Sequence, residues 1–250
     1  YTIPHARLEV PGDSLGEYMG KFPEPVADVK GGRVITASPR ATYAAMVTRL
    51  DREIGRVLAT IRALGLDENT IVFFCSDNGA PDRAGLPQYF GSNGPFRGKK
   101  GTLLEGGIHT PMIVRWPGRV PAGRRSDFPW AGWDVLPTAA ALAGIAPPKN
   151  IDGINVLPAL EGRPFERPGH LYWELVENTF AQAVRIGDLK ALRSGRDAAI
   201  EVYDLRADPG ESHNLASARP DFVARAGELF RTARTESEHW PVSQATQQKP

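Results

Sequence analysis

Between Thr70 and Pro111 the chain reads TIVFFCSDNGAPDRAGLPQYFGSNGPFRGKKGTLLEGGIHTP, and no other stretch restricts the fold as much. It opens on Ile71-Val72-Phe73-Phe74-Cys75, a continuous β-branched and aromatic run short enough to be a strand buried on both faces. Such a strand delivers Ser76-Asp77-Asn78-Gly79 at its carboxyl end, where open α/β sheets bind ligands. Asp77 and Asn78 are hard oxygen donors, suited to Ca²⁺ or Mg²⁺ rather than zinc. From there to Pro111 the chain has almost no apolar periodicity and is rich in Gly and Pro, and loops this long are functional or disordered. The next strand-like run begins at Met112-Ile113-Val114.

Each candidate in the loop also has a plain structural reading. Asp, Asn and Gly are the residues of any strand-ending turn, and for Asp77-Asn78-Gly79 taken alone that reading is favoured. Lys99 and Lys100 sit among glycines in RGKKGT, where backbone can approach an anion closely and lysine adds a compact charge; solvated lysines need no such role. The string GPFRGKK nearly imitates a phosphate-binding loop, but its glycine spacing is one short and no Ser or Thr follows the lysine.

Upstream, Ser38-Pro39 opens the clearest helix, with Ser as N-cap and Pro at the first helical position. Apolar residues at Tyr43, Met46, Val47, Leu50, Ile54, Val57, Leu58, Ile61 and Leu64 recur at spacings of three and four, and Gly65 supplies the stop. This predicts a one-faced helix packed on a sheet, with Arg49, Asp51, Arg52, Glu53 and Arg56 as its solvated side. Helix, turn and strand together make the αβ step of a doubly wound fold. Residues 6–38 read as a loop excursion. Within it, Gly12-Asp13-Ser14-Leu15-Gly16 matches a serine-hydrolase elbow, but such an elbow needs an apolar strand directly before it, and LEVP is too short and closed by proline. His5 follows the strand-like Tyr1-Thr2-Ile3 and Pro4; an isolated histidine there is ordinarily a surface or hydrogen-bonded group.

Downstream, Arg119, Arg124 and Arg125 lie in a turn-rich segment without interleaved aromatics and read as surface charges, not a nucleic-acid site. Asp134 to Ala143 is a short helix, and one helical turn is expected around Leu157. His170–Trp173, Phe180–Arg185, Leu189–Arg193 and Glu201–Leu205 read as short strands, followed by a helix from about Asp221 to Arg234: an antiparallel sheet with a helix on one face. The fold class is therefore α/β, a partial doubly wound sheet flanked by helices, with a small C-terminal antiparallel sheet plus helix.

The net charge of +1 gives no argument for a polyanion partner, and no apolar run approaches the roughly 18 residues that span a bilayer. Neither nucleic acid nor membrane is an expected partner, and the chain as it stands is expected to be soluble. The single cysteine, Cys75, excludes an internal disulfide and is expected to be a core thiol within its strand.

SDNG after an apolar strand, then GKKGTLLEGG, then a strand ending in Trp116-Pro117-Gly118, resembles the second half of a type I sulfatase of the alkaline-phosphatase-like superfamily. The resemblance extends through YTIPHA, YAAMVTRLDREIGRVL, WDVLPTAAALAGI, DGINVLPALEG and VYDLRADPGESHNL, in the family's order. It implies hydrolysis of sulfate monoesters, with His5 contacting the ester, Lys100 binding sulfate, and Asp77 and Asn78 as ligands of Ca²⁺, or alternatively Mg²⁺. Glu105 with its glycines would shape the loop. His109 stands where relatives often carry arginine, and its role is open.

By the same resemblance, residues 1–165 are the distal part of the catalytic α/β domain and 166–250 a C-terminal α+β subdomain whose role is mainly support. The expected substrate is a sulfated small molecule or carbohydrate, the compartment periplasmic or extracellular, and an oligomer is left open. The family's formylglycine nucleophile is made from a Cys/Ser-x-Pro-x-Arg string, which does not occur; Ser38-Pro39-Arg40 has the wrong spacing. Its paired first-strand aspartates are absent too. The chain is accordingly expected to be a fragment, inactive alone, with an incomplete metal site, an exposed sheet edge and exposed apolar helix faces. The competing readings are a phosphodiesterase or phosphonate hydrolase of the same superfamily, and a non-catalytic binding or scaffold remnant.

Overall fold

The computed structural model describes residues 3–5, 7–25, 36–81, 85–176 and 180–239. The chain forms two compact units, Tyr1–Ile71 with Ala80–Gly94, and Val72–Gly79 with Pro95–Pro250. No helix among the described residues is long and apolar enough to cross a membrane.

The first unit is helical among its described residues: α1 (Gly12–Leu15), α2 (Pro39–Ala63), a 3-10 turn at Asp67–Asn69 and α3 (Leu86–Phe90). Helix α2 runs where its apolar period and Ser38 predicted it. The Ser38 hydroxyl does not cap it, however. The carboxylate of Glu24 does, accepting the Arg40 amide at 2.9 Å and the Ala41 amide at 2.8 Å, and so places negative charge at the positive end of the helix dipole. At the other end the Leu66 amide donates to Ile61 O and the Gly65 amide to Arg62 O, a Schellman closure that needs the left-handed φ of +68° at Gly65.

Leu8, Met46 and Leu86 form the core of this unit, with Ile3, Val10, Tyr43 and Phe90 against it. The expected full-length apolar face is buried only in part, against the helices and loops of this unit. Burial on α2 is confined to Pro39, Ala41, Thr42, Ala45 and Met46, while Val47, Val57 and Leu64 are exposed, the last by 66%. Of the charged side, Asp51, Arg52 and Arg56 are exposed as expected while Arg49 and Glu53 are half-buried; Arg49 lies 3.5 Å from Asp13 of α1 and Arg52 2.6 Å from Glu17 just beyond it. Ser14 is buried in α1, with no strand before it, so the elbow-like string is a helical turn.

In the second unit β1 (Val72–Cys75) pairs antiparallel with β2 (Met112–Arg115), Phe73 opposite Val114 and Phe74 opposite Ile113. Antiparallel neighbours are common in otherwise doubly wound sheets. Neither strand is buried on both faces. Residues 72–74 are half-buried, Ile113 is 60% exposed and Cys75 is exposed, so Cys75 is not a core thiol. It is the last residue of β1, at the end of a two-stranded ladder. Near the end of the loop lies α4 (Glu105–Ile108), which includes Gly106 and Gly107, and after β2 come α5 (Val135–Leu142) and α6 (Leu157–Leu160).

Strands β3 (Leu171–Val176), β4 (Phe180–Ile186), β5 (Leu189–Ser194) and β6 (Glu201–Asp204) form an antiparallel meander in chain order, followed by α7 (Pro220–Thr232). Alternate residues face opposite ways. Val184, Ala191 and Val202 pack on Phe222, Ala226 and Phe230 of α7. Ala181, Ala183, Leu192 and Tyr203 point to the other face, which is also covered: Leu103, Leu104 and Ile108 of the central loop lie on it. Asp134 anchors the intervening segment, its carboxylate wholly buried. It accepts both arms of Arg167 at 2.6 and 3.0 Å and the amides of Ala131 and Ile154 at 2.8 and 2.9 Å.

Candidate active site

The turn after β1 is built from its own polar groups. Ser76 Oγ donates to Asn78 O at 2.9 Å and lies 3.5 Å from the exposed Asp77 carboxylate, and Asn78 Nδ2 donates to Gly79 O at 3.3 Å. Gly79 is buried and its amide donates to Gly107 O at 2.9 Å. A Cβ on Gly79 would stand 1.9 Å from Gly106 O. One on Gly106 would stand 2.6 Å from Arg97 O and Gly98 O; one on Gly107, 2.2 Å from Thr102 O and 2.6 Å from Lys99 O. Three backbone segments, 76–79, 97–102 and 105–107, thus stack at a separation that admits no side chain.

Further bonds lock the stack. The Gly106 amide donates to Arg97 O at 2.7 Å, and Thr102 Oγ1 donates to Lys99 O at 2.8 Å. This is the physical content of the K-G-T-x-x-E-G-G pattern: the threonine closes the turn that carries Lys99 and Lys100, and the glycines let it rest on the end of β1. Asp77, Asn78 and Lys100 are thereby brought into one assembly, with Lys99 and Lys100 both exposed. His5 lies exposed in the first unit. Among the described residues no group of three or more His, Cys, Asp or Glu could hold a metal ion.

Beneath the stack lies a cluster that sequence reading missed. Glu105, Lys190 and Glu211 are 4%, 0% and 0% exposed. Lys190 Nζ donates to Glu105 Oε1 at 2.8 Å and lies 2.9 Å from Glu211 Oε1, an ion pair without a directed hydrogen bond to that oxygen. Glu211 Oε2 accepts the Glu105 amide at 2.6 Å. Burial pushes the Glu105 carboxyl up, but the hydrogen bond with His109 and the charge of Lys190 outweigh it and hold it at about 2. His109, whose role was open, stacks on Phe96 with ring centroids 4.1 Å apart and places Nδ1 2.9 Å from Glu105 Oε2.

The DPGESHNL segment aims Glu211 inward. Asp208 accepts the Ser212 and His213 amides at 2.7 and 2.8 Å, and Asn214 Oδ1 accepts the Val202 amide at 3.1 Å, binding the segment to β6. A signal for Lys190 was present in LKALRS, where a lysine alternates with Leu192 on one face. The arginines read as surface charges are exposed, and two of them hold neighbouring segments: Arg124 donates to Ala159 O at 2.6 Å and Arg119 reaches Glu161 at 3.1 Å.

An α/β chain with Asp-Asn at a strand end, clamped by paired glycines to a lysine loop, is what the resemblance to the alkaline-phosphatase-like class implies. A family model described as Sulfatase matches residues 4–145, and one described as N-sulphoglucosamine sulphohydrolase, C-terminal, matches residues 96–225. The chain belongs to the sulfatase family. It is 42% identical to the N-acetylgalactosamine-6-sulfatase of Canis lupus familiaris over 157 residues, 62% of this chain and 29% of that protein. It is 40% identical to the steryl-sulfatase of Mus musculus over 153 residues, 59% and 24% of the two chains. The crystal structure of Ps i-CgsB in complex with k-i-k-neocarrahexaose matches at a TM-score of 0.75 and 26% identity, over 92% of this chain and 48% of that one. The chain thus spans about a quarter of these curated relatives and half of the solved one.

Proposed function

We propose that this chain carries the anion-binding and leaving-group part of a sulfuric ester hydrolase, and that residues 1–165 are the distal catalytic domain and 166–250 its C-terminal subdomain. The observation that carries the reading is the glycine-clamped stack, which sets Asp77 and Asn78 in one assembly with Lys100, in a chain of the sulfatase family. A sulfate monoester is an anion, and S–O cleavage moves further negative charge to the leaving oxygen. Lys100 is assigned to bind the sulfate oxygens, and His5 to hydrogen-bond or protonate the departing alkoxide.

The Asp77 carboxylate and the Asn78 amide oxygen, its nitrogen being engaged by Gly79 O, are hard donors that fit part of the shell of a Ca²⁺ or Mg²⁺ ion. An ion held there would supply positive charge against the sulfate group. No residue here supplies the formylglycine nucleophile, so the 250 residues alone are expected to bind sulfate without hydrolysing its esters. Sulfated carbohydrate is the substrate class supported by the oligosaccharide complex of Ps i-CgsB and the N-acetylgalactosamine-6-sulfatase relatives. The phosphonate-hydrolase alternative is weaker, because the matching models and curated relatives are sulfatases.

The test is turnover of p-nitrophenyl sulfate and sulfated disaccharides by the gene product expressed from its own locus. Sulfate release that Lys100→Ala lowers by about a hundredfold or more is expected, in line with the loss of one transition-state donor. Faster turnover of phosphonate esters, or sulfate release indifferent to Lys100→Ala, would refute the reading.

A further inference from the structure

We infer that Lys190 and Glu211 are positioning residues for the anion-binding loop, through which the C-terminal sheet sets where the Lys99–Lys100 turn and the Asp77–Asn78 turn sit. The inference rests on the proposed sulfate-binding role of Lys100.

Lysine is almost never fully buried unless paired, because taking its charge out of water is costly. A leucine at position 190 would suit the neighbouring apolar face of Leu103, Ala183, Leu192 and Tyr203 at no such cost. What the charge adds is geometry. Lys190 contacts the Glu105 carboxylate and the Glu211 carboxylate, and Glu211 in turn accepts the backbone amide of Glu105. The three residues close a ring that holds one residue of the loop by both its side chain and its main chain.

That residue is the one before the glycine clamp. Gly106 and Gly107 touch the backbone of Arg97, Gly98, Lys99 and Thr102, and Gly106 touches Gly79. A shift of Glu105 therefore cannot be absorbed by intervening side chains; it passes to both turns. The aim of Glu211 is itself built at a cost, since its φ of +53° is uncommon outside glycine and is held by the Asp208 cap. A segment that only linked β6 to α7 would need neither that backbone nor a buried carboxylate.

The experiment compares the 250-residue chain with Lys190→Met, Glu211→Gln, Lys190→Arg and Tyr172→Phe by amide ¹H–¹⁵N spectra, thermal melts and titration with inorganic sulfate. Tyr172 hydrogen-bonds Glu174 and Gln182 on the α7 side of the sheet, so its loss weakens the same sheet without touching the loop. Lys190→Met and Glu211→Gln are expected to move the amides of Gly79 and residues 97–107 and to weaken sulfate binding roughly 10- to 100-fold, as loss of outer-shell partners does at metal sites. Lys190→Arg should recover part of the affinity, and Tyr172→Phe should lower the melting temperature with the loop amides and affinity unchanged.

Unmoved loop amides in a folded Lys190→Met or Glu211→Gln chain would overturn the inference. So would a Tyr172→Phe chain that loses as much affinity for the same loss of stability. If the unsubstituted chain ignores sulfate while the substitutions still move the loop, the Lys100 assignment fails and the positioning stands. Should Lys190→Met not fold, the near-isosteric Glu211→Gln decides alone.

Discussion

Replacing Gly79 with alanine tests the backbone stack directly. The added Cβ would lie 1.9 Å from Gly106 O and 2.8 Å from Gly106 C, both main-chain atoms, so no flexible side chain can yield. The strand end and the α4 turn must separate by roughly 1 Å, which disrupts the 2.9 Å bond from the Gly79 amide to Gly107 O and loosens the contacts behind it. Overpacking costs about 1–3 kcal/mol where side chains can adjust. With a rigid obstacle and a lost hydrogen bond worth about 1 kcal/mol, the total comes to about 4 kcal/mol. For a chain of this size that is a fall in melting temperature of about 8–16 °C.

Gly55→Ala is the matched control, because nothing lies within 4 Å of its added Cβ and it sits in the interior of α2. It is expected to stabilise by about 0.5–1 kcal/mol. Thermal and urea melts followed by circular dichroism read both. A Gly79→Ala chain within 1 kcal/mol of the parent would refute the claim that the stack is held at side-chain-excluding distance.

Two further perturbations probe the buried charges. The Glu105 carboxyl is held at about 2 in the folded chain against an ordinary value of 4.5, so its contribution to stability is present above pH 4.5 and is lost as the pH falls through about 2. Urea midpoints measured between pH 5 and pH 2.5 should therefore fall more steeply for the parent than for Glu105→Gln, and parallel curves would contradict the assignment. Asp134→Ala leaves the Arg167 guanidinium buried without its partner and strands two amides, for a loss of about 3–5 kcal/mol in the same melts; a loss below 1 kcal/mol would show that the clamp is dispensable.

Elements whose period is local were legible from the residues. Helix α2 follows from its three-and-four spacing, and β3 to β6 and α7 from short strand-like runs followed by a helix, to within a few residues of the observed ends. The turn of Asp77 and Asn78 was placed by the strand before it. The reason for the glycines was not legible, because it lies in contacts between positions 79 and 106, and 97 and 106, that no local pattern encodes. For the same reason α2 was expected to bury a full stripe, although periodicity states which residues share a face and not what covers it.

Lys190 shows the consequence most clearly. In LKALRS alternation puts Lys190 and Leu192 on one face and Ala191 on the other, and a sheet covered on one face only would leave one of these two sets to solvent. Here Leu103, Leu104 and Ile108 cover the second face, so the lysine is enclosed and must find carboxylates. It finds one in the loop and one in the DPGESHNL segment, which was recognisable by its order in the chain but not by its use. The sheet is roofed by Leu103, Leu104 and Ile108, and its buried charges end on Glu105, the residue preceding the clamp. On the positioning inferred above, that contact is what sets the height of the backbone stack carrying Lys100 and Asp77.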